Sequence, residues 1–184
     1  MRAAFTLTKM GDNKRARDLY HSWEIHPLFV LLVTKYCSWK APEVGKILLN
    51  NDESFTAYRE GYGGMARFYN WEISFCYSGR TQPRSMAHSE MIAIERGLQL
   101  CLVKGHNSLS IAIDFMQMVA YIKEKKAPPW DCMLLQQSIF SLTEKMQSFE
   151  IYHVLREANR CPDFLGSFCT SIGELDMPND SLPP

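Results

Sequence analysis

The stretch LSIAID at residues 109–114 decides the fold, because it combines a strand pattern with an acid at the strand's end. Leu109, Ile111 and Ile113 alternate with small residues, which is typical of a buried β-strand. Apolar residues then recur at helical spacing, and they are Phe115, Met118, Val119 and Ile122. The sequence therefore predicts a strand that passes directly into a helix, with Asp114 at the junction.

Three further strands are predicted before this stretch. Residues 46–55 (KILLNNDESF) are a short apolar run that ends in polar residues. Two aromatic-rich runs follow at 62–68 and 71–78, and they are separated at Asn70, a residue that accepts a left-handed turn conformation. We interpret the three runs as antiparallel strands joined by hairpins.

Helices and a last strand complete the pattern. Helical spacing predicts helices over 86–104, with Gly105 as its C-terminal cap, and over 130–147. Residues 149–155 form a last strand, and Pro162 suits the first position of a final helix. The order β-β-β-α-β-α-α-β-α predicts an α/β fold with a five-stranded mixed sheet, three antiparallel strands followed by parallel ones, and helices on both faces.

One domain accounts for most of the chain. A length of 184 residues with 46% apolar content suits a single core. Residues 1–36 begin with scattered cations and then turn apolar, which fits an organelle-targeting segment or, as we favour, a poorly defined extension. Residues 173–184 carry three prolines and no helical period, so we expect a flexible tail. The predicted domain is residues 37–172.

Charge and cysteine content exclude several classes of protein. The formal net charge is zero, so no global field attracts nucleic acid or an anionic membrane, and phosphate binding must rely on local patches. The six cysteines include no CxxC pair, which argues against a zinc knuckle and favours reduced thiols in an intracellular protein. The longest apolar run, residues 27–33, is far below the roughly 20 residues of a membrane span. We expect a soluble protein without a membrane partner.

Four acids lie at the ends of predicted elements, and they are Asp52, Glu90, Asp114 and Asp163. Strand ends in α/β sheets form ligand crevices, and helix starts favour anions. Carboxylates suit Mg²⁺, and two ions roughly 4 Å apart serve phosphoryl displacement. Ordinary turn and helix-start chemistry explains most of these acids more simply. Asp114 is the exception, since an acid that ends a buried strand requires a partner.

Five segments occur in a recognisable order, and they are WKAP (39–42), KILLNND (46–52), SEMIAIERGL (89–98), LSIAID (109–114) and HVLREANRCPDFL (153–165). In this order they resemble the blocks of the plant ribonuclease H type 1-like family. That family is related to the reverse-transcriptase-associated ribonuclease H domains of plant non-LTR retroelements. The resemblance spans about residues 37–172 and implies a ribonuclease H-like fold.

The resemblance also implies a function. It places one metal-binding, catalytic acid in each of four blocks, namely Asp52, Glu90, Asp114 and Asp163. These would hold two Mg²⁺ ions, with Mn²⁺ as a substitute, for hydrolysis of the RNA strand of RNA–DNA hybrids. We separately expect the protein to be a monomer. Recognition would rest on 2′-hydroxyls, which DNA lacks. The candidate nucleic-acid-binding residues are Ser54, Arg156, Asn159 and Arg160.

Three positions depart from the family pattern. Glu53 stands where glycine usually follows the first acid, and it adds bulk and negative charge where backbone approaches the scissile phosphate. Phe115 replaces a small hydroxyl residue, and Pro162 replaces an alanine. Glu53 leaves open a catalytically weak or inactive nucleic-acid-binding module derived from a retroelement. The unmatched residues 1–36 leave open a degraded retroelement fragment without selected function.

Overall fold

The computed structural model describes residues 10–11, 14–22, 29–30, 40–56, 59–80, 85–168 and 175–178. The chain divides into two compact units, Met1–Tyr36 and Cys37–Pro184. In the first unit, strands β1 (Met10–Gly11) and β2 (Phe29–Val30) pair in parallel, and helix α1 (Lys14–Ser22) lies between them in the chain. Most of this unit, which we predicted to be an extension, lies outside the described residues.

The second unit follows the predicted order of elements. Its elements are β3 (Ile47–Thr56), β4 (Arg59–Arg67), β5 (Ile73–Arg80), α2 (Met86–Val103), β6 (Ser108–Ile113), α3 (Met116–Ile122), α4 (Met133–Thr143), β7 (Ser148–His153), α5 (Arg160–Phe168) and β8 (Leu175–Pro178). Helix α5 begins two residues before Pro162, so the proline is not its first residue. A proline is tolerated there because the first N–H groups of a helix have no acceptor within it. Among the described helices, none is long and apolar enough to cross a membrane.

The sheet has the strand order β7-β6-β3-β4-β5-β8. Strands β3, β4 and β5 are antiparallel neighbours, while β6 is parallel to β3 and β7 is parallel to β6. These five strands confirm the predicted mixed sheet. The sixth, β8, pairs with β5 and lies in the segment expected to be a flexible tail, so that prediction is wrong for Leu175–Pro178. Four residues are too few to show the alternation of apolar and polar side chains that would predict a strand. Pro178 lies at the end of β8, and a proline is compatible with an edge strand.

Helix α2 packs against one face of the sheet at Gly97. A Cβ atom there would lie 2.6 Å from Leu49 Cδ2 and 2.5 Å from the Tyr77 hydroxyl, so only glycine fits without a shift. The same hydroxyl donates a hydrogen bond to the Ala93 carbonyl at 2.8 Å. Helices α3 and α4 add their apolar side chains to this core, among them Met118 and Ile139.

Helix α5 packs against the opposite face, at the glycines of β4. A Cβ atom on Gly63 would lie 2.5 Å from the backbone N of Gly166 and 2.8 Å from the carbonyl carbon of Leu165. Ser78 on β5 donates a hydrogen bond to the Leu165 carbonyl at 2.8 Å. Helices therefore cover both faces of the sheet, as predicted, and glycines set the approach of α5.

Candidate metal centre

The parallel pairing of β3 and β6 places Asp52 and Asp114 side by side, at the point where β6 ends. Asn50 pairs with Ala112, so two residues further along each strand Asp52 comes level with Asp114. Asp52 is only 3% exposed, whereas Asp114 is half-buried directly after β6. Two neighbouring strands thus hold two carboxylates close together.

Helix α2 supplies the third carboxylate. Ser85 caps its N-terminus, with the hydroxyl oxygen accepting a hydrogen bond from the His88 N–H at 3.2 Å. Glu90 lies in the next turn and is 1% exposed. One carboxylate oxygen from each of Asp52, Glu90 and Asp114 lies within 4.8 Å of the others. Three of the four acids singled out in the sequence therefore converge.

The fourth acid belongs to helix α5. Asp163 lies in its first half, in the helix that packs against β3 and β4. The side chains of Asp163, Ser54 and Glu53 lie outside the part of the structure that is described. Their roles at the site stay predictions.

Burial and neighbouring charges act in opposite directions on Asp114. Burial raises the pKa of its carboxyl group, while its own backbone N–H, the charges of Arg156 and His153, and a hydrogen bond from Asn159 act to lower it. His153 Nε2 also lies 3.1 Å from the Asp114 carbonyl oxygen. The strand end that carries Asp114 is thus held by several contacts.

The three carboxylates fit a hard divalent cation. Buried carboxylates at this separation repel one another strongly unless a proton or a cation lies between them. Their oxygen atoms are the ligands that Mg²⁺ and Mn²⁺ prefer, and the set contains no thiolate or imidazole that would favour a softer metal. The donor set therefore matches the predicted metal chemistry.

The candidate nucleic-acid-binding residues separate into two groups. Arg156 and Arg160 are exposed, and the Arg156 charge reaches Asp114. Asn159 is fully buried and donates its Nδ2 group to the Asn51 carbonyl at 2.8 Å. Its amide is thus already used inside the protein, and a contact of Asn159 to nucleic acid stays a prediction.

Sequence reasoning missed two buried polar residues beside the site. Asn50 is 3% exposed and shares the strand face of Asp52, and Arg67 on β4 is also 3% exposed. The available signal was the alternation in β3, which places Asn50 two residues before Asp52 on an inward face.

The mixed sheet, its covering helices and the converging carboxylates define a ribonuclease H-like domain. A family model described as "Reverse transcriptase-like" matches residues 58–169, and the chain belongs to that family. Glu90, Asp114 and Asp163 lie within the matched region. Asp52 precedes it, and the tertiary structure places this residue in the cluster.

Solved structures share the fold. RNase H1 from the halophilic archaeon Halobacterium salinarum superposes with a TM-score of 0.63 at 13% identity, covering 67% of this chain and 96% of that one. The N-terminal RNase H domain of a Mycobacterium tuberculosis protein gives 0.63 at 16% identity, covering 67% and 92%. LC11-RNase H1 in complex with an RNA/DNA hybrid gives 0.57 at 15% identity, covering 67% and 95%. Among curated protein sequences, none matches this chain.

Proposed function

We propose that this domain hydrolyses the RNA strand of RNA–DNA hybrids with two divalent metal ions held by Asp52, Glu90, Asp114 and Asp163. The observation that carries the proposal is the convergence of three carboxylates, of which Asp52 and Glu90 are buried and Asp114 is half-buried. The family and the fold support it, and one structural neighbour holds an RNA/DNA hybrid. The five sequence blocks favour the plant type 1-like branch, related to non-LTR retroelements.

Some residues of the chain would hold the metal ions, and others would bind the substrate. Two Mg²⁺ ions, or Mn²⁺ in their place, would supply an activated water and stabilise the leaving 3′ oxygen. The carboxylates would hold the ions, while the exposed Arg156 and Arg160 and the Ser54 hydroxyl would contact phosphates. Because the chain has no net charge, such contacts must supply the affinity, which should fall steeply with salt.

A cleavage assay with the full chain tests the proposal. A labelled RNA–DNA hybrid should be cut in the RNA strand with Mg²⁺ or Mn²⁺, and EDTA should stop the reaction. DNA duplex and RNA duplex of the same sequence serve as controls and should resist cleavage. If a well-folded protein leaves the hybrid intact across a titration of both metals, the proposed enzymatic activity is refuted.

Glu53 favours a second candidate, a nucleic-acid-binding module with little or no turnover. If Glu53 impedes the scissile phosphate, Glu53→Gly should raise cleavage about tenfold, which corresponds to about 1.4 kcal/mol in the barrier. Glu53→Gln is the matched control, because it removes the charge and keeps the bulk. Cleavage that appears only in Glu53→Gly would establish the binding module as the native function, whereas equal rates in all three proteins would remove the argument from Glu53.

We also propose that the protein acts as an intracellular monomer. Cys76, Cys101, Cys132 and Cys161 are free thiols in the described part of the chain, which suits a reducing compartment. Sedimentation or light scattering of the purified protein measures the oligomeric state, and a stable dimer would contradict it.

A further inference from the structure

A buried chain of polar side chains links β4 to the carboxylate site. Arg67 Nη2 donates to Asn50 Oδ1 at 2.5 Å, and Asn50 Nδ2 donates in turn to Asn159 Oδ1 at 3.3 Å. Asn159 Nδ2 donates to the Asn51 carbonyl at 2.8 Å, and the same side chain acts to lower the pKa of the Asp114 carboxyl group. We name Arg67, Asn50 and Asn159 the amide network.

The two amides in this network have one consistent orientation. A guanidinium group carries only donors, whereas an asparagine carries one acceptor and one donor group that are nearly equal in size. Arg67 therefore requires the oxygen of Asn50 to face it, which turns the Asn50 nitrogen toward Asn159. Asn159 must then accept with its oxygen and present its nitrogen to the Asn51 carbonyl and the Asp114 carboxylate.

The reversed orientation would disturb the metal centre. If Asn159 turned by half a rotation, its carbonyl oxygen would face both the Asn51 carbonyl and the Asp114 carboxylate. Oxygen atoms that meet without a hydrogen repel, and inside a protein this repulsion is weakly screened. Asp114 would move away from Asp52, because the two amides join the strands that carry these acids. Asn159 Nδ2 donates to the Asn51 carbonyl beside Asp52, and Asn50 Nδ2 donates at 3.4 Å to the carbonyl of Ala112, two residues before Asp114.

We propose that Arg67 is a positioning residue for the metal centre, which acts by orienting the amides of Asn50 and Asn159 so that a donor faces Asp114. The proposal rests on the proposed metal-dependent function. Arg67 suits the part because it is 3% exposed and is held between Asn50 and the Trp71 ring, whose centroid lies 5.7 Å from the guanidinium carbon. Burial lowers the pKa of Arg67 to about 10, so the group keeps its proton and its donors at neutral pH.

Asn50→Asp provides the sharpest test, because it changes one donor into an acceptor without changing size. The new carboxylate would still accept from Arg67, but it would offer an oxygen to Asn159, which must then turn its nitrogen away from Asp114. Mn²⁺ binding, measured by calorimetry and by the loss of the free-ion paramagnetic resonance signal, should weaken roughly 10- to 100-fold. The melting temperature in EDTA should change little, because the buried guanidinium gains a charged partner.

Asn70→Asp is the matched control. Asn70 is exposed in the turn between β4 and β5, and its oxygen accepts a hydrogen bond from the Glu72 N–H, which an aspartate can also accept. This variant should bind Mn²⁺ as the wild type does. Wild-type Mn²⁺ affinity in folded Asn50→Asp would overturn the proposal.

Two variants of Arg67 keep the test valid if Asn50→Asp does not fold. Arg67→Met removes the donors and should weaken Mn²⁺ binding about tenfold or more, whereas Arg67→Lys keeps a donor and should restore part of it. If Arg67 only stabilised the fold, both variants would melt earlier and the folded protein would bind Mn²⁺ normally. That result would also overturn the proposal.

Failure of the positioning role and failure of the enzyme are distinguishable. If the wild type binds Mn²⁺ at a site that Asp52→Asn removes, yet cuts no hybrid, the enzyme is refuted and the amide network is still supported by its own variants. If the wild type binds no Mn²⁺, the amide network has no metal centre to position and the proposal falls.

Discussion

Asp52→Asn is expected to abolish cleavage of an RNA–DNA hybrid while leaving hybrid binding largely intact. Asp52 is almost fully buried, and one of its oxygens lies within 4.8 Å of oxygens from Glu90 and Asp114. An asparagine has the same shape but no charge, so the metal ions that stabilise charge in the transition state would be held poorly. The cleavage rate should fall by roughly 10²- to 10³-fold or more.

Single-turnover cleavage and fluorescence anisotropy with a labelled hybrid measure the two effects separately. Asp18→Asn is the matched control, because Asp18 is exposed on α1 in the other compact unit. That variant should cleave at the wild-type rate. A fully active Asp52→Asn protein would show that the carboxylate cluster is not the catalytic site.

Gly63→Ala is expected to displace helix α5 and destabilise the domain. The new methyl group would lie 2.5 Å from the backbone N of Gly166 and 2.8 Å from a backbone carbon of Leu165, and backbone atoms cannot rotate away as side chains do. The free energy of unfolding should fall by about 3 kcal/mol, at the upper end of the cost of overpacking a core. The melting temperature should fall by roughly 6–12 °C.

Calorimetric or circular-dichroism melting measures this loss, and cleavage of the hybrid should decrease at the same time because α5 carries Asp163. Met65→Leu is the control, since Met65 lies on the same strand two residues away, is 5% exposed, and keeps its volume in this change. It should melt close to the wild type. If the melting temperature of Gly63→Ala is also close to that of the wild type, α5 does not pack against β4 as closely as the structure shows.

The sequence predicted the elements of the sheet because local patterns carry them. Alternation marked the strand before Asp114, and helical spacing marked α2 to within one residue of its observed end. The sixth strand was missed, since Leu175–Pro178 gains its strand conformation from pairing with β5 and has no pattern of its own. The burial of Asn159 was missed for a related reason, because an asparagine in a polar loop segment gives no local sign of burial.

The sequence by itself determined the order of strands and helices, and it singled out the candidate acids, although Asp52 lies within β3 and not at its end. Periodicity and family blocks are local, so they identify residues but give no distances between them. Only the tertiary structure decided that Asp52, Glu90 and Asp114 converge. Their convergence depends on the parallel register of β3 with β6 and on the close packing of α2 against the sheet at Gly97, and both are contacts between distant segments. It alone also revealed the amide network, because the orientation of buried asparagines depends on partners from three separate elements.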